Sequence, residues 1–315
     1  MVIVYTALDS EFSEPILEEF AARTGIATET KFDVESTKTV GLAEAILFES
    51  QRPRCDVFWN NEILHTLRLE QAGLLERYEP PAAKDYPVWA RSPEGTWHAF
   101  AARARVLLVN TKLVSQRDPP RSIHDLADPR WRGRVGMAKP LFGTTATHAA
   151  CLFAAWGDQK AEAFFARLKA NDIQIRSGNK QVAEDVAGGR LAFGLTDTDD
   201  ALAEIAKGMP VAIVYPDQGE GGLGTLLIPN TLAIIKGGPH PDEARRLVDD
   251  LLSPEVEAKL AACPSGQIPL HPKLKAPERL GLPAGFRPMT IDFRAAAEQW
   301  DTAARYLRDQ FARGH

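Results

Sequence analysis

Phe193-Gly194-Leu195-Thr196-Asp197-Thr198-Asp199-Asp200-Ala201 is the stretch on which the reading of this chain turns. Residues 191–195 are an apolar run of strand length. They stop at small hydroxyls interleaved with three carboxylates before helical spacing begins at Ala201. Open α/β sheets hold ligands at the carboxyl ends of their strands, so these polar side chains mark a candidate site. The plain alternative is local: Thr198 caps the helix, while Asp199 and Asp200 complement its positive end, each for about 0.5 kcal/mol.

The same unit of strand, polar corner and helix recurs on both sides. Upstream, residues 173–176 form a strand ending at Ser177-Gly178-Asn179, with a helix over 180–187. Before it, residues 134–138 form a strand, and Thr144, Thr145 and Ala146 open a helix that runs to Trp156. Hydroxyls and unbonded amides at a helix start suit an oxyanion, and simple capping is the alternative. Nearer the N-terminus, a strand over 2–5 leads to Asp9 and Ser10, either of which caps the next helix. A strand over 27–32 precedes Ser36 and Thr37 at a second helix start, and a strand over 55–59 ends in Trp59, followed by Asn60, Asn61 and Glu62. Successive units of this kind predict a parallel sheet with one active edge.

Two long extended runs, residues 97–110 and 225–235, read as crossings between two lobes. The first carries Arg103 and Arg105, guanidinia that are costly in an apolar strand unless paired or bound to an anion. With two lobes joined by two crossings, the polar edges would face each other across a cleft, and hinge closure would bury a small ligand.

The length of 315 residues suits two lobes. The 42 acidic against 37 basic residues, net charge −5, give no general affinity for nucleic acid or an anionic membrane. Three dispersed cysteines permit at most one disulfide and match no zinc spacing. Four glycines within residues 219–224 lack the Gly-Lys-Ser/Thr of a phosphate loop. No His-Glu-x-x-His pair or nucleophile elbow is present, and His65 and His148 read as structural, so the chain is not read as an enzyme. A sensing domain of a regulator is disfavoured because no DNA-binding segment precedes Val2.

Over most of its length the chain resembles the iron(III)-type solute-binding proteins of ABC importers, in the periplasmic-binding-protein superfamily. The resemblance rests on Asp56-Val57-Phe58, Ala72-Gly73-Leu74-Leu75, Arg103-Ala104-Arg105-Val106, residues 125–134, Asn179 and Gly194-Leu195. Pro239-His240-Pro241, Leu251-Leu252-Ser253-Pro254-Glu255 and Gln267-Ile268-Pro269-Leu270 extend it. It implies an α/β, two-lobed type II fold. The N-terminal lobe would be residues 1–105 plus 228–275, the C-terminal lobe 106–227, with a helical segment, 276–315, packed on the lobes. It also implies export, a periplasmic or extracellular location with or without a lipid anchor, an export signal removed before Met1, a monomeric state and delivery to a membrane permease.

Ferric members hold iron with adjacent tyrosines after the Gly-Leu corner, and here those positions carry Asp199 and Asp200. The family's histidine position is Asp9, and its glutamate position is Asn61 or, shifted by one residue, Glu62. Its anion pocket maps onto Thr144, Thr145, Ala146, Asn179 and Arg103. Two ligand classes follow. In the first, Asp9, Glu62, Asp197, Asp199 and Asp200 hold ferric iron or another hard cation, with a carbonate- or phosphate-like anion completing the shell. In the second, the carboxylates take the cationic part of an organic phosphate, phosphonate or zwitterion. Ser36, Thr37, Thr144, Thr145, Thr198 and Arg103 then bind its anion and Trp59 supplies an aromatic wall.

Overall fold

The computed structural model describes residues 1–33, 39–115 and 117–311. Its first βα units are β1 (Val2–Thr6), α1 (Ser10–Thr24), β2 (Thr28–Phe32), α2 (Val40–Phe48), β3 (Val57–Asn60) and α3 (Leu64–Gln71). A Pro-rich stretch leads to β4 (His98–Asn110), after which come β5 (Val135–Ala138), α4 (Gly143–Trp156) and α5 (Asp158–Ala170). β6 (Gln174–Arg176), α6 (Asn179–Ala187), β7 (Phe193–Asp197), α7 (Thr198–Ala206) and β8 (Val211–Val214) follow. The chain closes with β9 (Leu227–Ile234), α8 (Pro241–Leu251), α9 (Pro254–Ala262), α10 (Phe293–Glu298) and α11 (Trp300–Phe311).

These elements form two compact units. The first contains Met1–Ala102, Ile228–Cys263 and Gln267–Ala276; the second contains Arg103–Leu227, Pro264–Gly266 and the chain from Pro277 onward. The chain passes from one unit to the other inside β4, at the start of β9, and three more times between Cys263 and Pro277. The C-terminal helices α10 and α11 belong to the second unit.

In the first unit, β2, β1 and β3 are parallel neighbours and β9 adds antiparallel to β3. Local chemistry sets the helix ends. α1 stops at Gly25, whose φ of 71° directs its amide to the Ala21 carbonyl. α9 starts with Pro254 in its first turn and Ser253 accepting from the Val256 amide at 3.3 Å.

In the second unit, the order is β8, β4, β7, β5, β6, with β5, β6 and β7 parallel and β4 antiparallel to both β7 and β8. β4 is buried along its whole length, and Arg103 and Arg105, two residues apart, lie on the same face of it. Its register sets Arg105 directly opposite Asp197 at the end of β7. Gly194 is required by a close approach: a Cβ there would overlap the Val182 side chain of α6 and the Gly136 carbonyl of β5. α7 begins at Thr198, not at Ala201, so Asp199 and Asp200 lie inside its first turn and Asp197 takes the capping position.

Candidate functional site

Three parallel strands of the second unit end at one sheet edge, and each is followed by a helix start: Gly143 of α4, Asn179 of α6 and Thr198 of α7. Helix N-termini carry partial positive charge, which favours anionic groups at this edge. The three carboxylates predicted at the corner are there. Oxygen atoms of Asp197, Asp199 and Asp200 all lie within 4.8 Å of one another, a spacing that can hold a metal ion.

The centre of the cluster is Arg105, which has no solvent exposure. Its Nη1 donates to Asp197 Oδ1 at 2.7 Å, and to Thr144 Oγ1 and Asn179 Oδ1 at 3.1 Å each. Its Nη2 donates to Thr145 Oγ1 at 3.1 Å. Asp197 Oδ2 accepts from the Thr144 hydroxyl at 2.6 Å and from Asn179 Nδ2 at 3.0 Å. Burial pushes the Asp197 carboxyl up, but the Arg105 and Arg103 guanidinia, joined by the Thr144 hydroxyl, outweigh it and hold the group below its ordinary value.

Counting donors and lone pairs separates framework from ligand-facing groups. Thr144 Oγ1 accepts from Arg105 and from Asn179 Nδ2 at 2.8 Å, and its one proton goes to Asp197. Both lone pairs and the donor are therefore used. Asn179 Oδ1 accepts from Arg105 and from the Thr145 hydroxyl at 3.1 Å, so Thr145 has no proton left for an anion. The hydroxyl contribution expected of Thr144 and Thr145 is spent inside the protein. What the segment from Gly143 offers an oxyanion is first-turn backbone amides, which have no intrahelical acceptor. Ala146 does not add to these, because its amide bonds the Phe142 carbonyl at 3.4 Å.

Arg103 Nη1 lies 3.2 Å from Asp199 Oδ2 and 3.9 Å from Asp197 Oδ2. Asp200 Oδ2 is 3.4 Å from the Thr196 hydroxyl. Beside the mutually neutralising Arg105 and Asp197 lie Arg103, Asp199 and Asp200. They carry one excess negative charge.

Several expected site residues are placed elsewhere or otherwise engaged. Thr198 is fully buried and its hydroxyl accepts from the Ala104 amide at 3.2 Å, tying α7 to β4 rather than meeting a ligand. In the first unit, Trp59 is also fully buried, 5.8 Å from the Phe100 ring, because all four residues of β3 lie in the core; it is not an aromatic wall. Glu62 is a buried cap, not an open ligand. Its oxygens accept from the Leu64 amide at 2.6 Å, the His65 amide at 3.0 Å and Asn60 Nδ2 at 2.8 Å. Asn61 is buried beside it. Asp9 is half-buried at the capping position of α1 and its side chain makes no capping hydrogen bond. It lines a depression of about 300 Å³ with Thr6, Ser10 and Glu11. Ser36 and Thr37 lie outside the described residues. Arg105 is the residue that sequence reading noted but did not place in the site. Its signal was the cost of a second guanidinium two positions from Arg103.

His148, one turn along α4 from Thr144, is pushed down to about 3 by burial and then by the Arg105 guanidinium. Burial also brings His65 of α3 down to about 4. Both folded values lie below the unfolded value of about 6.5, so below that pH the unfolded chain takes up protons that the folded chain refuses. Their contribution is complete above about pH 6.5 and lost as the pH falls toward these values. Urea unfolding at pH 5 should show a loss of about 2 kcal/mol per histidine relative to pH 7. His148→Gln should make that pH dependence shallower.

The profile of the bacterial extracellular solute-binding proteins matches residues 65–297. The chain is 26% identical over 270 residues to iron uptake protein A1 of Synechocystis sp., covering 82% of this chain and 72% of that one. It is 26% identical over 288 residues to a major ferric iron-binding protein of Neisseria meningitidis, covering 86% and 81%. Its fold matches that of iron-bound HitA from Pseudomonas aeruginosa with a TM-score of 0.85, 25% identity and 98% of each chain covered. Among the described residues no helix is long and apolar enough to cross a membrane.

Proposed function

Because the chain belongs to the bacterial extracellular solute-binding proteins, a family of binding proteins, we propose that it captures for an ABC importer a cargo that brings charges of both signs to the α7 corner. The first reading is ferric iron or another hard cation held at Asp199 and Asp200, with an oxyanion completing its shell. The capture would take place on the periplasmic or extracellular side, with a membrane permease receiving the cargo.

The observation that carries this reading is the grouping of Asp197, Asp199 and Asp200 oxygens within 4.8 Å, beside Arg103. All-oxygen donor sets suit Fe(III), Ca²⁺, Mg²⁺ or Mn²⁺. Charge points the same way. A bare dianion would raise the local excess to three negative charges, whereas a trivalent cation with a dianion leaves the corner neutral. The relatives named for ferric iron support the metal as the first choice.

The second reading, a zwitterion such as an aminophosphonate, is favoured by Arg103 and the α4 start, which suit its anionic end, with Asp199 and Asp200 taking its amine. A thermal-shift screen of metal-stripped protein separates the two. A cargo at about 100 times its Kd adds about 2.7 kcal/mol of stability. Stabilisation by Fe(III) with carbonate supports the first reading, and stabilisation only by aminophosphonates supports the second. Stabilisation by bare phosphate alone contradicts both.

A further inference from the structure

Ala101 lies inside β4 with φ 40°, in the left-handed region, and is fully buried. That conformation is costly for a residue with a Cβ and persists only where the surroundings fix it. Two side chains of the first unit do so. The Ala101 amide donates to Glu257 Oε1 at 2.7 Å, and its carbonyl accepts from Asn230 Nδ2. Glu257, in the first turn of α9, has no solvent exposure and also accepts from the Leu270 amide at 2.6 Å and the His271 amide at 2.9 Å. Asn230 Nδ2 donates in addition to Gln267 Oε1 at 2.7 Å. One residue on, Ala102 and Ile268 exchange backbone hydrogen bonds, each at 2.7 Å. We propose that Glu257 is a positioning residue for cargo capture: through the left-handed residue Ala101 it sets the course of β4 and so the place of Arg103. This rests on the reading of the corner above, in which Arg103 meets the anionic part of the cargo.

β4 is held on both sides of Arg103. Beyond it, the Ala104 amide donates to the Thr198 hydroxyl at 3.2 Å and Arg105 stands in register with Asp197. Before it, Ala101 and Ala102 are fixed by Glu257, Asn230 and Ile268. Side chains alternate between faces along a strand, so a change of conformation at one residue re-aims those that follow. With Ala101 in ordinary extended geometry, the strand would reach Arg103 along a different path. Bonds from amides to a carboxylate are about twice as strong as neutral ones, which lets the buried Glu257 offset the strain at Ala101.

Amide hydrogen exchange and calorimetric titration of the full chain test this. In cargo-free protein, Glu257→Ala should speed exchange at Ala102 and Ala104 about tenfold and leave residues 107–109, paired with β7, unchanged. Titrated with Fe(III) in carbonate buffer and separately with aminoethylphosphonate, the folded variant should bind the probe that the wild type binds about tenfold more weakly. Ala101→Gly should keep the wild-type affinity, because glycine adopts positive φ without a Cβ, and added to Glu257→Ala it should recover most of the loss. Asn230→Ala, which frees the Ala101 carbonyl, should repeat the pattern and replaces Glu257→Ala if that variant does not fold. A Glu257 that serves stability alone would lower the melting temperature but leave the affinity of the folded protein unchanged. That result, unchanged exchange at Ala102 and Ala104, or no recovery in the double variant overturns this proposal alone. A folded wild type that binds neither probe overturns the reading of the corner, and this proposal with it.

Discussion

Arg105→Leu should cost the protein about 3–5 kcal/mol of stability, the largest loss expected from any single change at the corner. The guanidinium is buried completely and neutralises Asp197 at 2.7 Å. Leucine would leave that carboxylate in the interior with Arg103, at 3.9 Å, as its one remaining ion-pair partner among the described residues. It would also remove a donor from each of Thr144, Thr145 and Asn179. Urea unfolding measures the effect, and a second variant isolates its cause. Arg105→Leu with Asp197→Asn should lose clearly less than Arg105→Leu alone, because the stranded charge is gone. Equal losses in the two variants would mean that packing, not charge, sets the cost.

Asp199→Ala should have a different profile: a smaller loss of fold and a large loss of binding. Asp199 lies in the first turn of α7 and its pair with Arg103 is largely buried, so its removal should cost about 1–3 kcal/mol of stability, with Asp197 still near the guanidinium. Loss of a partly buried charged ligand should weaken cargo binding about a hundredfold, equivalent to about 3 kcal/mol. Unchanged affinity with the same stability loss would reduce Asp199 to a structural partner of Arg103.

The alternation of strand, polar corner and helix was readable because each strand is a short apolar run broken by polar residues, and this also drew attention to Asp197, Asp199 and Asp200. The sequence could not show which polar groups were already engaged. Asp197 and Asp199 look alike as letters, yet antiparallel pairing of β4 with β7 sets Arg105 opposite the first and makes it framework. Thr144 has the composition of an anion ligand, but its proton and both lone pairs are used within the cluster. Trp59 and Glu62 were misplaced for the same reason. Position at a strand's carboxyl end suggests a side chain that faces a ligand, whereas the core positions of β3 and the first-turn amides of α3 turn these two inward. Hydrogen-bond saturation depends on register and packing across residues about 40 to 90 positions apart, which local pattern does not encode.

The proposed capture of a cargo of both signs at the start of α7 can be seen crystallographically. The most direct measurement is diffraction at the iron edge from crystals of the protein grown with Fe(III) and carbonate. An iron peak is expected about 2.0–2.6 Å from carboxylate oxygens of Asp199 and Asp200, with the anion between it and Arg103. Iron bound elsewhere, or an anion at Arg103 with no cation at those carboxylates, would contradict it.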